Sequence, residues 1–154
     1  MSNMISPITN TLLKVHQLLS PVTNNWMLIG STSLFLQGYP VEPNDVDILC
    51  PAAEVRHLEF LLKDYRVKLD ANTSREKFRS VFSNYIVDDI KVEVMGGLEI
   101  NTPTGWIKLL EEIEQPESVL LNTFPFKVPS KADQRIIYSL FGREKDKAIL
   151  KILR

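Results

Sequence analysis

Residues 26–50 read WMLIGSTSLFLQGYPVEPNDVDILC. An apolar run over 26–29 ends at Gly30-Ser31, residues 31–37 have the length of a short helix closed by Gly38, and Tyr39-Pro40 opens a loop that Pro43 keeps extended. A second apolar run then begins with two carboxylates, Asp45 and Asp47. The stretch reads strand, turn, helix, loop, strand. Side chains alternate along a strand, so Asp45 and Asp47 share one face while Val46 and Ile48 point into the core. Carboxylates held that close raise each other's pKa and destabilise the protein unless a cation lies between them, which makes a divalent metal the first candidate. A calcium site or a plain surface pair is the alternative the pattern leaves open.

Working outward, Pro51 suits the first turn of a helix running to about residue 65, with Val55, Leu58, Phe60, Leu61 and Leu62 available for burial. Residues 66–69 are expected to add a short strand, and 71–77 a loop or helical turn. A hairpin follows: residues 78–87 are β-prone, Asp88-Asp89 is the turn, and 90–95 place Ile90, Val92 and Val94 on one face and Lys91, Glu93 and Met95 on the other. If that strand lies beside the one carrying Asp45 and Asp47, all three acids project from one side of a sheet. Gly96-Gly97 is expected to break the strand. Over 98–126 the pattern is weak, with 105–110 and 119–121 as candidate edge strands. From Ser130, an N-cap with Asp133 three residues on, the pattern turns helical. Ile136, Ile137, Leu140 and Phe141 form its apolar stripe, Gly142 stops it, and a second helix spans about 144–154. Before the first strand, Ile8, Leu12, Val15, Leu18 and Leu19 give an amphipathic helix over 8–24 with Pro21 near its end. His16 and His57 read as structural and surface residues, not ligands.

At 154 residues and 17.6 kDa the chain reads as one domain, 1–154, with a core at about 26–95 and a helical part at about 130–154. Cys50 is the only cysteine, so it has no internal disulfide partner and reads as a small buried hydrophobe. No apolar run is long enough to cross a bilayer, and the N-terminus lacks a basic region followed by an apolar stretch, so the expected location is the cytoplasm. A net charge of −1 argues against wholesale electrostatic binding of nucleic acid. The charge is unevenly spread, however: residues 127–154 carry eight Lys or Arg against three Asp or Glu. That basic end supplies either a solvated helix face or a surface for polyphosphate.

Gly30-Ser31, thirteen intervening residues, Asp45-Val46-Asp47 and then Glu93 on a later strand resemble the signature of the polymerase-beta-like nucleotidyltransferase superfamily. The stretch Gly142-Arg143-Glu144-Lys145-Asp146 resembles the C-terminal Arg-x-Lys-Asp element of its small bacterial AbiEii-like branch. Small bacterial members also have a Gln-Gly-x-Pro-Val-Glu loop and a Lys-Val-Glu-hydrophobic-Met-Gly strand, to which residues 37–42 and 91–96 are similar. The resemblance implies an α/β (α+β) fold, a mixed β-sheet flanked by helices with further helices at the C-terminus. It implies transfer of a nucleoside monophosphate from a nucleoside triphosphate to a hydroxyl acceptor, which is a small molecule, a protein side chain or an RNA end. Asp45, Asp47 and Glu93 would be the catalytic, metal-holding acids for Mg²⁺ or Mn²⁺. Gly30, Ser31, Arg143 and Lys145 would contact the nucleotide.

The sequence departs from that pattern in two places. Relatives often carry an Arg four residues and a Thr or Ser two residues before the first acid, where this chain has Val41 and Pro43. A Lys often offered by the helix before the Arg-x-Lys-Asp element is absent from Ile137-Tyr138-Ser139. Phosphate contacts then fall to Arg56, Arg143 or Lys145. These departures support a second expectation, a catalytically silent nucleotide-binding or regulatory module of a toxin and antitoxin system. The chain is also short for a transferase that builds its own acceptor pocket, so a homodimer or a partner protein is expected to complete it.

Overall fold

A computed structural model describes residues 6–68 and 75–154. Five strands lie side by side in the order β1 (Met27–Ile29), β2 (Asp45–Cys50), β5 (Ile90–Thr102), β4 (Phe78–Val87), β3 (Arg66–Val67), and β6 (Gly105–Lys108) pairs with the far end of β5. The sheet is mixed. β2 runs parallel to β5, while the β1–β2, β4–β5, β3–β4 and β5–β6 pairs are antiparallel. A second, two-stranded sheet joins β7 (Glu117–Leu121) to β8 (Phe124–Val128). Among the described residues, six α-helices complete the fold: α1 (Pro7–Leu19), α2 (Gly30–Leu36), α3 (Val55–Leu61), α4 (Leu109–Glu112), α5 (Lys131–Phe141) and α6 (Glu144–Ile152).

Alternation sorts the sheet into two faces. Val46, Ile48, Val92, Val94 and Val87 turn to one side, where they pack with Leu12 and Val15 of α1, Leu58 of α3, and Phe126 and Val128 of β8. Met27, Ile29, Leu49 and Ile100 turn to the other, under Ile137, Tyr138 and Phe141 of α5. The acid-bearing positions of β2 and β5 lie on this second face, so α5 and α6 wall the surface on which they stand. Cys50 is fully buried, and burial pushes its thiol up to about 12.

The strand, turn, helix, loop, strand reading of 26–50 holds, as does the hairpin at Asp88-Asp89, whose φ values of 50° and 65° are those of a tight two-residue hairpin turn. Several details differ. Gly96-Gly97 do not end β5, which runs on to Thr102. A Cβ at Gly96 would overlap Cγ2 of Val55, and Gly97 (φ 59°) presses on Ala52, so the pair gives the 3₁₀ turn Ala52–Glu54 and the start of α3 room to pack on a continuing strand. The strand expected over 105–110 stops at Lys108, and Leu109 begins the one-turn α4. The edge strand over 119–121 is half of a hairpin turned at Asn122-Thr123, which have φ of 48° and 71°.

α1 begins at Pro7 behind a Ser6 cap and ends at Leu19, two residues short of Pro21. In α3, Phe60 is 63% exposed under the Lys63 ammonium and does not join the core. The buried stripe of α5 is Gln134, Ile137, Tyr138 and Phe141, one residue off the expected register, so Ile136 faces solvent. The strand expected over 66–69 appears as Arg66–Val67; residue 69, and 71–74 of the expected loop, lie outside the described residues. His16 donates from Nε2 to the Pro125 carbonyl between the rings of Phe124 and Phe126. His57 is a surface partner of Glu54 at 2.8 Å. Among the described residues, no helix is long and apolar enough to cross a membrane.

Candidate active site

The parallel register of β2 on β5 sets Asp45 opposite Lys91 and Asp47 opposite Glu93. The three acids thus occupy one face of two adjacent strands, about 4.8 Å apart in the pairing direction. They line a cleft of about 830 Å³ together with Gly30, Ser31, Arg143 and Lys145. All seven residues singled out in the sequence therefore meet in one place. Arg56 does not, being exposed on α3 and absent from the cleft wall.

The short segment after β1 builds one end of the cleft, and each of its residues has a separate task. Gly30 adopts φ +72°, and a Cβ there would lie 2.7 Å from Asp47 Oδ2, so both backbone and space require glycine. Thr32, fully buried, donates from Oγ1 to the Asp45 carbonyl at 2.5 Å and ties α2 to the first acid's backbone. Ser33 donates to the Gly30 carbonyl at 2.6 Å and accepts from Gln134 Nε2 at 2.9 Å. Gln134 also donates to Gln37 Oε1, so one buried amide on α5 braces the middle of α2 and its C-cap.

The opposite wall is the α5–α6 junction. Gly142 in the left-handed region (φ 63°) ends α5, and Arg143 caps α6. Asp146 accepts from the Arg143 backbone amide at 3.0 Å, from Nε at 2.6 Å and from the guanidinium NH2 at 3.1 Å, all from a side chain that is 2% exposed. The guanidinium also lies 5.2 Å from the ring centroids of Phe78 and Phe141. Arg143 is thereby fixed by a fork geometry that a lysine would not reproduce.

Burial, followed by the charges of Glu93 and Asp45, pushes the Asp47 carboxyl up to about 7, against the opposing influence of Lys91 and Lys145. Tyr138, only 4% exposed, is shifted the same way by burial and then by Asp146 and Asp47, so its phenol stays protonated. At Asp47, burial and the two neighbouring carboxylates thus outweigh the two lysines. Among the described residues, no three His, Cys, Asp or Glu side chains converge as a ready-made metal cage. The donor set nevertheless fits Mg²⁺ or Mn²⁺, since hard cations of this kind are ordinarily held by one or two carboxylates, with water and substrate phosphates completing the shell.

Sequence reading missed Thr32, Ser33 and Gln134, and placed Lys91 on the Glu93 face without giving it a part in the site. Lys91 had a usable signal: it lies two residues before Glu93, hence on the same strand face, and its ammonium stands 3.8 Å from Asp45 Oδ2 and 3.6 Å from Glu93 Oε1. Gln134 had none, because a buried glutamine on a helix is distinguishable from a surface one only once the helix is docked. Asp133 does not close a capping box with Ser130. Ser130 accepts from the Asp133 amide, but the Asp133 carboxylate reaches away to the amides of Glu114 and Gln115. Of the eight basic residues in 127–154, Arg143 and Lys145 line the cleft and the other six are exposed, so the basic end is a solvated face with two residues turned inward.

The fold and this arrangement define a nucleotidyltransferase-fold protein. The chain belongs to the family described as aminoglycoside-2''-adenylyltransferase, whose family model matches residues 11–153. Among solved structures, a Thermotoga maritima protein assigned as a nucleotidyltransferase is 29% identical, with a TM-score of 0.78 over 97% of this chain and 95% of that one. ANT(2'')-Ia in complex with adenylyl-2''-tobramycin shares the fold at 10% identity, with a TM-score of 0.61 over 96% of this chain and 88% of that one. So does the lincomycin-bound lincosamide adenylyltransferase LnuA, at 15% identity and a TM-score of 0.59 over 99% of this chain and 98% of that one. No curated protein matches the chain.

Proposed function

We propose that residues 1–154 act as one nucleotidyltransferase domain that moves a nucleoside monophosphate from a nucleoside triphosphate to a hydroxyl acceptor. The observation that carries this reading is the single face shared by Asp45, Asp47 and Glu93 in a cleft also lined by Arg143 and Lys145. Mg²⁺ or Mn²⁺ held by Asp45 and Asp47, with Glu93 completing the set, would neutralise the phosphates and lower the pKa of the attacking hydroxyl. Arg143 and Lys145 bind phosphate oxygens from the opposite wall, and the Gly30-Ser31 turn lets the phosphate chain approach the backbone. The acceptor oxygen bonds to the α-phosphorus as the bond to the bridging oxygen breaks. Pyrophosphate leaves, and the acceptor's proton passes to Glu93 or, where Glu93 completes the metal set, to solvent.

The family's description makes ATP and an aminoglycoside hydroxyl the first pair to test. Other small molecules, a protein side chain and an RNA end complete the panel, and a homodimer or a partner chain would supply any missing acceptor wall. The catalytically silent toxin–antitoxin reading has Val41 and Pro43 in its favour: Val41 packs in the apolar cluster under α5 and offers no phosphate contact. An AbiEii-like branch has only the Arg143–Asp146 element behind it.

Thermal melts against nucleoside triphosphates with and without Mg²⁺ or Mn²⁺, run beside Asp45→Asn, test the site. Transfer of α-labelled nucleotide to the acceptor panel tests turnover. The expected result is stabilisation that needs metal and triphosphate together, is lost in D45N, and is accompanied by labelled product. Stabilisation without transfer to any acceptor would favour the silent module, and no stabilisation in folded protein would overturn the nucleotide site.

A further inference from the structure

Lys91 stands among the acids without a role in the reading above. It is the register partner of Asp45 across β2–β5 and lies on the same face as Glu93. Its ammonium pairs with both at 3.8 and 3.6 Å, and only 21% of the side chain is exposed. The carboxylate cluster therefore has a cation of its own, attached to the chain.

A divalent ion bound by Asp45, Asp47 and Glu93 would share that space with the ammonium, and two cations a few ångströms apart repel. The carboxylates are fixed by strand register, whereas the ammonium sits on a flexible four-carbon stem, so the lysine is the group that yields. It has a destination in the same cleft. A triphosphate entering with the ion brings anionic oxygens to which an ammonium donates as readily as it did to carboxylates.

On the nucleotidyl-transfer reading, we propose that Lys91 is a hand-over cation: it neutralises Asp45 and Glu93 until a divalent ion takes them, then binds the triphosphate that accompanies the ion. Lys91 thereby makes the bare ion bind weakly and the ion with triphosphate bind tightly. Metal and nucleotide are coupled through one side chain, and each raises the other's affinity by the same factor.

Calorimetric titration of Mn²⁺ alone, and of Mn²⁺ with a non-hydrolysable triphosphate analogue, tests this on wild type, Lys91→Met, Lys91→Arg and Asp47→Asn. K91M should bind Mn²⁺ alone roughly tenfold more tightly and the Mn²⁺–triphosphate pair roughly tenfold more weakly. K91R, which keeps the charge, should stay near wild type in both. A structural role would weaken both in K91M. Unchanged or weaker Mn²⁺ binding in K91M that melts like wild type, or unchanged binding of the pair, would overturn the proposal. Lys91→Gln is the second neutral variant should K91M melt early. Loss of Mn²⁺ binding in D47N with wild-type behaviour in K91M would remove the role of Lys91 alone. Wild-type Mn²⁺ binding in D47N would remove the metal site and the role of Lys91 with it.

Discussion

Asp47 Oδ2 lies 2.7 Å from the point where a side chain on Gly30 would begin. The turn that ends β1 and the second acid of β2 thus fit each other with no atom to spare, and Ile29 pairs directly with Asp47 across the two strands. Gly30→Ala sets a methyl against that carboxylate and imposes φ +72° on an L-residue. It should lower stability by about 1–3 kcal/mol and weaken Mn²⁺ binding, because the carboxylate must turn aside. Thermal melts and metal titration on the same preparation read both effects.

The Asp47 carboxyl titrates near 7 in the folded protein, against 3.8 for an ordinary aspartate. The native state holds its proton where the unfolded chain has already lost it, so this contribution to stability is full below the lower value and gone above the higher one. Metal-free protein should lose stability relative to Asp47→Asn as pH rises from about 4 to about 7, by at most about 1.4 kcal/mol per pH unit, and the difference should level off above that. On the proposed metal site, Mn²⁺ would take the proton's place and should flatten the slope. Urea denaturation at a series of pH values, with and without Mn²⁺, measures it.

Asp146 holds Arg143 through three contacts from a buried position. Asp146→Ala leaves a guanidinium over Phe78 and Phe141 with its carboxylate gone, and should cost about 3 kcal/mol. Arg143→Lys should retain the charge yet fail to restore triphosphate affinity, since one ammonium does not reproduce the fork. Denaturation and nucleotide titration separate the two losses.

Gln134 Nε2 donates to Ser33 Oγ, one of its two ties from α5 to the α2 segment. Gln134→Ala should cost about 2 kcal/mol. The double variant with Ser33→Ala should fall short of the sum of the singles by about 1 kcal/mol, as measured by a double-mutant cycle in urea.

The acids were legible in the sequence because strand alternation is a local rule. Asp45 with Asp47, and Glu93 opposite Val92 and Val94, follow from period two alone, and only the pairing of their strands had to be seen. Gly96-Gly97 misled because glycine signals both an interruption and a close approach, and the Val55 side chain that decides between them lies some forty residues away. The hairpin at Asn122-Thr123 was hidden by a turn without glycine and by Pro125 inside β8. Phe60 and Ile136 show the limit of helical periodicity: each is apolar in a helix, and each is outside because its neighbours set the angle of docking.

β2 and β5 are parallel, so no hairpin can join them, and some forty residues of chain must cross between them before Asp47 meets Glu93. A chain that has formed only its β4–β5 hairpin carries Glu93 and Lys91 without either aspartate. The acids become neighbours through the slow, long-range step of folding, not the fast local ones. On the proposed metal site, an ion that needs them together would recognise only molecules that have completed that step, and would withdraw those from the unfolding equilibrium. The cleft is in this sense a proofreader of its own sheet.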